Sequence, residues 1–152
     1  FIISSNPSEE ISILEMIGIV IWLVSFIMES VADIQKLKYL RSMKKSGARN
    51  TVCNIGLWKY SRHPNYFAEW MVWNALVIAS IPSWLKLYPN MPVIIFVLVG
   101  VGLLLTSRIM YVTLVIYTGA VPSEYYSVQK RPAYKDYQQT TNMFFPGPTK
   151  KN

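Results

Sequence analysis

The chain has 152 residues, of which 52% are hydrophobic and only 15% are charged, and its formal net charge at pH 7 is +7. Soluble domains carry roughly a quarter charged residues, so this composition favours a membrane protein without excluding a soluble helical one. The single cysteine, Cys53, excludes an intramolecular disulfide, and the single histidine, His63, excludes a multi-histidine metal site. We therefore expect no metal centre.

Three apolar stretches predict an all-α membrane bundle with about three spans. Residues 11–28 contain one charged side chain, Glu15, and residues 92–118 contain one, Arg108. A helix needs about 20 apolar residues to cross a bilayer core of ~30 Å. A shorter middle stretch, 67–81, crosses only if its helix continues past the proline that follows it. The predicted single membrane domain, 1–152, has spans at approximately 11–33, 65–85 and 92–118.

The distribution of basic residues predicts the orientation. The loop 35–62 contains eight Lys and Arg residues and no acid, and the tail 120–152 contains five Lys and Arg residues. Basic loops stay on the cytoplasmic side, so we expect both segments in the cytosol. The net positive charge is then explained by the basic loops that orient the chain in the membrane. We therefore expect no nucleic-acid partner. An endoplasmic reticulum membrane is expected in a eukaryote, although a bacterial inner membrane fits equally. Because the chain begins with Phe1, we expect the C-terminal part of a longer multi-pass protein.

The segment 56–69 contains the residues best suited to chemistry. It reads Gly-Leu-Trp-Lys-Tyr-Ser-Arg-His-Pro-Asn-Tyr-Phe-Ala-Glu. Pro64 suits the first turn of a helix, where its missing N–H has no helical partner. Asn65 and Glu69, four residues apart, then share one helix face. Because polar groups are costly in lipid, both are expected to face the bundle interior or a water-filled pocket.

Arg62 and His63 stand just before that helix, whose free N–H groups favour anions. With Tyr66 added, the segment offers a cation, an amide, a phenol and a carboxylate within two turns. This combination suits a cytosolic cofactor that has phosphate and hydroxyl groups. The same residues also fit a structural role, in which the charges are topogenic and Asn65 and Glu69 bond neighbouring helices. The residues alone leave both interpretations open.

Residues 56–69 resemble the signature of the steroid 5-alpha-reductase C-terminal-domain family. The closest resemblance is to a branch described only as a domain of unknown function. Residues 29–36 (Glu-x-x-Ala-Asp-x-Gln-Lys) and 130–146, which contain the Lys-Arg-Pro-x-Tyr tail motif, also match in the expected order. The likeness covers about residues 29–148. One departure is Ala68, where the family usually has glycine.

The resemblance implies a membrane reductase that uses NADPH to reduce a carbon–carbon double bond conjugated to a carbonyl. The implied substrate is a steroid or another lipid. We predict Tyr66 and Glu69 as catalytic residues. The predicted cofactor-binding residues are Arg62, His63, Asn65, Tyr66, Glu69, Tyr125, Arg131, Tyr134 and Tyr137.

The same wider superfamily includes isoprenylcysteine carboxyl methyltransferases and phospholipid methyltransferases, which share an Arg-His-Pro-x-Tyr core. The first alternative is therefore a membrane methyltransferase that uses S-adenosylmethionine. The second alternative is a membrane scaffold that has kept the fold and lost catalysis. Cofactor binding distinguishes these readings.

Overall fold

The computed structural model of the chain describes residues 10–150, and every regular element within that range is helical. The ends of the predicted domain, residues 1–9 and 151–152, lie outside the described residues. The α-helices are α1 (Ile13–Lys45), α2 (Pro64–Leu87), α3 (Val93–Val112), α4 (Ala120–Lys130) and α5 (Tyr134–Thr140). Short 3₁₀ turns occur at Gly56–Lys59 and Tyr88–Asn90, and a π-helical turn at Thr113–Tyr117. The predicted all-α class is confirmed.

Each predicted span coincides with a long helix. α1 and the mostly helical stretch Val93–Lys130 are both long and apolar enough to cross a membrane, by length and composition alone. α2 has 24 residues, which corresponds to about 36 Å at a rise of ~1.5 Å per residue. It continues through Pro82 to Leu87. It is not one of the two helices of the described residues that are apolar enough to cross a membrane, so the middle span stays a prediction.

The chain divides into two compact units, and the first contains residues 10–25 and Trp70–Tyr111. Small residues let α1 and α2 approach closely there. A Cβ atom at Gly18 would lie 2.7 Å from the Cβ of Ala79 and 2.8 Å from the carbonyl oxygen of Ala75. Close contact through small side chains is typical of helices that pack in membranes.

Three polar side chains of this first unit form hydrogen bonds between α2 and α3. The Ser107 hydroxyl donates to Asn74 Oδ1 over 2.7 Å, and the Asn74 amide donates to the Trp70 carbonyl over 2.7 Å. Trp70 Nε1 in turn donates to the Ser107 carbonyl over 3.1 Å. Since unpaired polar groups are costly in an apolar setting, these bonds make such side chains compatible with apolar helices.

The second unit contains Phe26–Glu69 and residues 112–150. Its α1 segment fixes the chain that leads into α2. Gln35 Oε1 accepts the Leu57 N–H over 2.9 Å, and Trp58 Nε1 donates to the Ala32 carbonyl over 2.9 Å. Gly56 has a positive φ of 53°, and a Cβ there would collide with the Gln35 side chain. The 29–36 stretch therefore positions the start of the 56–69 segment.

The C-terminal tail folds back onto the same segment. The Arg62 N–H donates to the Asn142 carbonyl over 2.8 Å, and the Gly147 N–H donates to the Tyr60 carbonyl over 3.0 Å. α4 and α5 lie in this tail, for which only a cytosolic location was predicted. The chain enters α4 at Gly119, where a Cβ would collide with the Leu114 carbonyl. Only glycine allows that close approach of the backbone.

Candidate functional site

The site is built around the start of α2. Pro64 is the first residue of the helix, as predicted from its position. The residue before it, His63, donates its backbone N–H to the Ser61 hydroxyl over 3.1 Å. The Ser61 hydroxyl donates to the Phe144 carbonyl over 2.9 Å, so this entry to α2 is tied to the tail. Ser61, Arg62, His63 and Pro64 are all buried.

A buried charged cluster joins the two residues before α2 to α4 and α5. Arg62 donates to the Glu124 carboxylate through Nε over 2.7 Å and through Nη2 over 3.0 Å. His63 Nε2 lies 3.1 Å from Glu124 Oε1, and Gln138 Nε2 donates to Oε2 over 2.7 Å. Arg62 Nη1 donates to the Gln138 carbonyl over 2.9 Å and to the Thr141 carbonyl. The cluster therefore satisfies both buried charges.

Glu124 was not identified from the sequence, although it is central to this cluster. It is 6% exposed and lies 62 residues from Arg62 along the chain. Burying an ion pair is tolerated only when its remaining donors and acceptors are also satisfied, and here they are. The one sequence signal was its position as the first acid of a basic tail. That signal does not indicate that its partner is Arg62.

A cavity of about 290 Å³ lies beside the cluster, within the second unit. Asn65 Nδ2 donates to Asp33 Oδ1 over 3.1 Å, and the amide oxygen Asn65 Oδ1 is buried without a hydrogen-bond partner among the described residues. A buried acceptor without a donor is costly, so it marks a place for a ligand N–H or O–H. The cavity lining comprises Asp33, Lys36, Trp58, Arg62, His63, Asn65, Tyr66, Ser123, Ser127, Arg131 and Tyr134.

Two cations of the lining lack carboxylate partners. Lys36 is half-buried, and its ammonium lies 4.2 Å from the centre of the Trp58 ring. Arg131 follows the last residue of α4. Neither Lys36 nor Arg131 forms an ion pair within the part of the chain that the structure describes. This wall of the cavity is therefore suited to an anion.

Two tyrosines complete the cavity. The Tyr66 ring stacks on the His63 ring, with centroids 5.3 Å apart and an interplanar angle of 6°. Tyr134 is buried, and burial together with the Glu124 charge raises the pKa of its phenol. Tyr134 therefore keeps its proton at neutral pH.

The structure brings together six of the nine predicted cofactor-binding residues as cavity lining. These are Arg62, His63, Asn65, Tyr66, Arg131 and Tyr134. The lining also includes side chains that were not predicted to bind the cofactor: Asp33, Lys36, Trp58, Ser123 and Ser127. The first two belong to the recognised 29–36 stretch, which was the available signal.

Three predicted residues do not line this cavity. Glu69 lies one turn further along α2 than Asn65. Tyr125 is 65% exposed and packs against Tyr126. Tyr137 is buried and donates its hydroxyl proton to the Trp58 carbonyl, and burial raises its pKa. Their predicted roles, including catalysis by Glu69, stay predictions.

Comparison with curated proteins and with solved structures finds no match. A family model described as "Protein of unknown function (DUF1295)" matches residues 1–141. The match includes all five α-helices, together with the Arg62–Glu124 cluster. The chain therefore belongs to the DUF1295 family.

Proposed function

We propose that the protein is an integral membrane reductase that uses NADPH to reduce a conjugated carbon–carbon double bond in a steroid or another lipid. The observation that carries this proposal is the polar cavity at the start of α2. It combines the acceptor Asn65 Oδ1 with the cations Lys36 and Arg131. Among residues 10–150, the acceptor has no hydrogen-bond partner and the two cations form no ion pair. The DUF1295 family includes steroid 5-alpha-reductase-like proteins, which supports the same conclusion.

The donors and acceptors of the cavity fit a phosphorylated dinucleotide. Asn65 Oδ1 and the Asp33 carboxylate can accept hydrogen bonds from amide and hydroxyl groups. Lys36 and Arg131 can neutralise phosphate oxygens. The volume of about 290 Å³ is near the lower limit of ligand pockets, ~300–1,000 Å³, so this cavity would hold part of such a cofactor.

S-adenosylmethionine fits the same cavity less well. It has no phosphate, and its reactive sulfonium is a cation. Lys36 or Arg131 could bind its methionine carboxylate, but that is one anionic group, whereas NADPH offers the two cations several phosphate groups. The pair is therefore used more fully by NADPH than by the methyl donor. Methyl transfer stays the alternative that the experiment below tests.

When bound, NADPH supplies a hydride for the electron-poor carbon of an enone. The residues of this chain would orient the cofactor and stabilise charge. Asn65 would fix a ligand amide or hydroxyl through its free oxygen. The high pKa of Tyr134 keeps its O–H available as a hydrogen-bond donor to an oxygen that gains negative charge. Tyr66 and Glu69 keep their predicted catalytic roles.

A membrane location explains the exposed apolar surfaces of α1 and α3. No residue of α3 is buried, Leu104 is 72% exposed, and Ile13 at the start of α1 is 76% exposed. Lipid would cover these side chains. A continuous apolar surface of this size is rare on proteins that are surrounded by water. With the basic loop 35–62 in the cytosol, the start of α2 faces the compartment that contains the cofactor.

The test is the thermal stability of the detergent-solubilised protein with NADPH and with S-adenosylmethionine in turn. A ligand at about 100 times its dissociation constant adds ~2.7 kcal/mol to the free energy of unfolding if it binds only the folded state. We expect a shift with NADPH that Asn65→Ala abolishes and that Asn54→Ala, an exposed loop control, retains. A shift with S-adenosylmethionine alone would replace the reductase by a methyltransferase. Binding of neither would favour the inactive scaffold.

A further inference from the structure

Arg131 lines two cavities of the second unit. One is the cavity at the start of α2, and the other is a cavity of about 400 Å³ next to the loop that follows α1. The second cavity is lined by Lys44, Arg49 and Arg131, and no carboxylate is among its lining residues. We refer to it as the basic cavity. A ligand that contacts Arg131 in the first cavity therefore lies next to a strongly cationic space.

The loop that forms the basic cavity is held in place by the helix that precedes it. The Tyr39 hydroxyl donates to the Val52 carbonyl over 2.8 Å, which ties the end of the loop to α1. Gly47 and Asn50 adopt positive φ values of 70° and 59°, which turn the chain after α1. Both residue types tolerate this conformation, so the turn costs little.

We propose that the basic cavity binds a phosphate monoester at the far end of the ligand that occupies the cavity at the start of α2. The identity of that ligand rests on the proposed function, in which the monoester is the 2′-phosphate of NADPH. Arg49 and Arg131 provide planar guanidinium groups that can each donate two hydrogen bonds to one phosphate. Lys44 adds a third charge. The basic cavity then determines preference for NADPH over NADH.

Adenosine 2′,5′-bisphosphate isolates this site from the nicotinamide end. We would measure its dissociation constant, and that of adenosine 5′-monophosphate, on the detergent-solubilised protein by calorimetry. Arg49→Ala should weaken the bisphosphate about 10- to 100-fold, as expected for lost hydrogen bonds between charged groups. The monophosphate should be unaffected. Arg49 is exposed, so the variant should fold normally.

Arg41→Ala is the matched control. Arg41 is also exposed but lines neither cavity. Its substitution removes the same charge from the same half of the chain as Arg49→Ala does. It should leave both affinities unchanged. If Arg49→Ala and Arg41→Ala weakened bisphosphate binding equally, the effect would reflect general charge attraction and the proposal would be overturned. A bisphosphate that binds no more tightly than the monophosphate would overturn it as well.

A lipid headgroup is the other source of a phosphate monoester near a membrane. Calorimetric titration of the detergent-solubilised protein with a short-chain phosphatidic acid, and with a short-chain phosphatidylcholine as the control, separates the two sources. Arg49→Ala should leave the affinity for phosphatidic acid unchanged. A loss of phosphatidic acid binding with unchanged bisphosphate affinity would assign the cavity to lipid and overturn the proposal.

Failure of this inference and failure of the reductase have different signatures. If Arg49→Ala binds NADPH as tightly as the unmodified chain does, the basic cavity is not the 2′-phosphate site, while the reductase stands. If the bisphosphate binds as expected but NADPH produces no thermal shift that depends on Asn65, the phosphate site stands and the reductase fails.

Discussion

Removal of the Glu124 carboxylate should destabilise the second unit strongly. That carboxylate makes four hydrogen-bonding contacts, two with Arg62 (2.7 and 3.0 Å), one with His63 (3.1 Å) and one with Gln138 (2.7 Å). Glu124 and Arg62 are 6% and 8% exposed, so water cannot replace the lost partner. Breaking a buried pair by removing one member costs about 3–5 kcal/mol. We expect Glu124→Ala to lose that amount and Glu124→Gln, which keeps one acceptor oxygen, to lose less.

Thermal unfolding in detergent, followed by tryptophan fluorescence, measures this loss. For a chain of this size, a change of 1 kcal/mol moves Tm by roughly 2–4 °C, so Glu124→Ala should lower Tm by about 6–20 °C. The control is Asp136→Ala, which removes an exposed carboxylate from α5. A fall in Tm no larger than that of Asp136→Ala would refute the idea that Glu124 neutralises a buried charge.

A double-variant cycle separates the ion pair from general packing. Arg62→Met and Glu124→Met should each be strongly destabilising, since each leaves the opposite charge buried without its partner. The double variant leaves no unpaired charge and should be more stable than the sum of the two losses predicts. Simple additivity would show that the two side chains do not stabilise each other.

Two further expectations concern α1 and α2. Gly18→Ala should cost about 1–3 kcal/mol by forcing α1 away from Ala79. Gly102→Ala, where nothing lies within 4 Å of an added Cβ, should be neutral or slightly stabilising in the same thermal assay, and equal losses would disprove the packing argument. Glu69→Gln should lower reductase activity by about 100-fold or more with Tm unchanged. Near-normal turnover would remove Glu69 from the reaction centre.

The long helices were predictable because the signals for them are local. Hydrophobic runs mark α1, α2 and α3, and Pro64 marks the start of α2. The short helices α4 and α5 have no such signal, since they are polar and only 11 and 7 residues long. Helices this short are marginal in isolation and depend on tertiary contacts. Here the contacts come from Glu124 and Gln138 through Arg62, which sequence spacing does not reveal.

The candidate site was predictable in the same uneven way. Arg62, His63, Asn65 and Tyr66 are neighbours in sequence, and their residue types and spacing were enough to single them out. Lys36 joins them in space because Gln35 and Ala32, on the same turns of α1, hold the chain that leads into α2. That pairing depends on the bonds of residues 29–36 to the 56–59 turn. A pattern of residue types contains no information about such bonds until the chain has folded.

The geometry divides the segment 56–69 into residues that hold the site and residues left open to a ligand. Arg62 has its guanidinium bonded to Glu124 and to two carbonyls. Asn65, in contrast, keeps one buried acceptor without a partner in the part of the chain that the structure describes. The proposed reductase and its methyltransferase alternative differ in the cofactor that this site would bind. Because the Arg62 guanidinium is occupied by internal bonds, it is not available to bind the groups that distinguish NADPH from S-adenosylmethionine. This part of the site is therefore compatible with either cofactor. Cofactor choice should therefore depend on Asn65, Lys36 and Arg131, and substitutions there should change which cofactor binds while substitutions at Arg62 change whether the site forms.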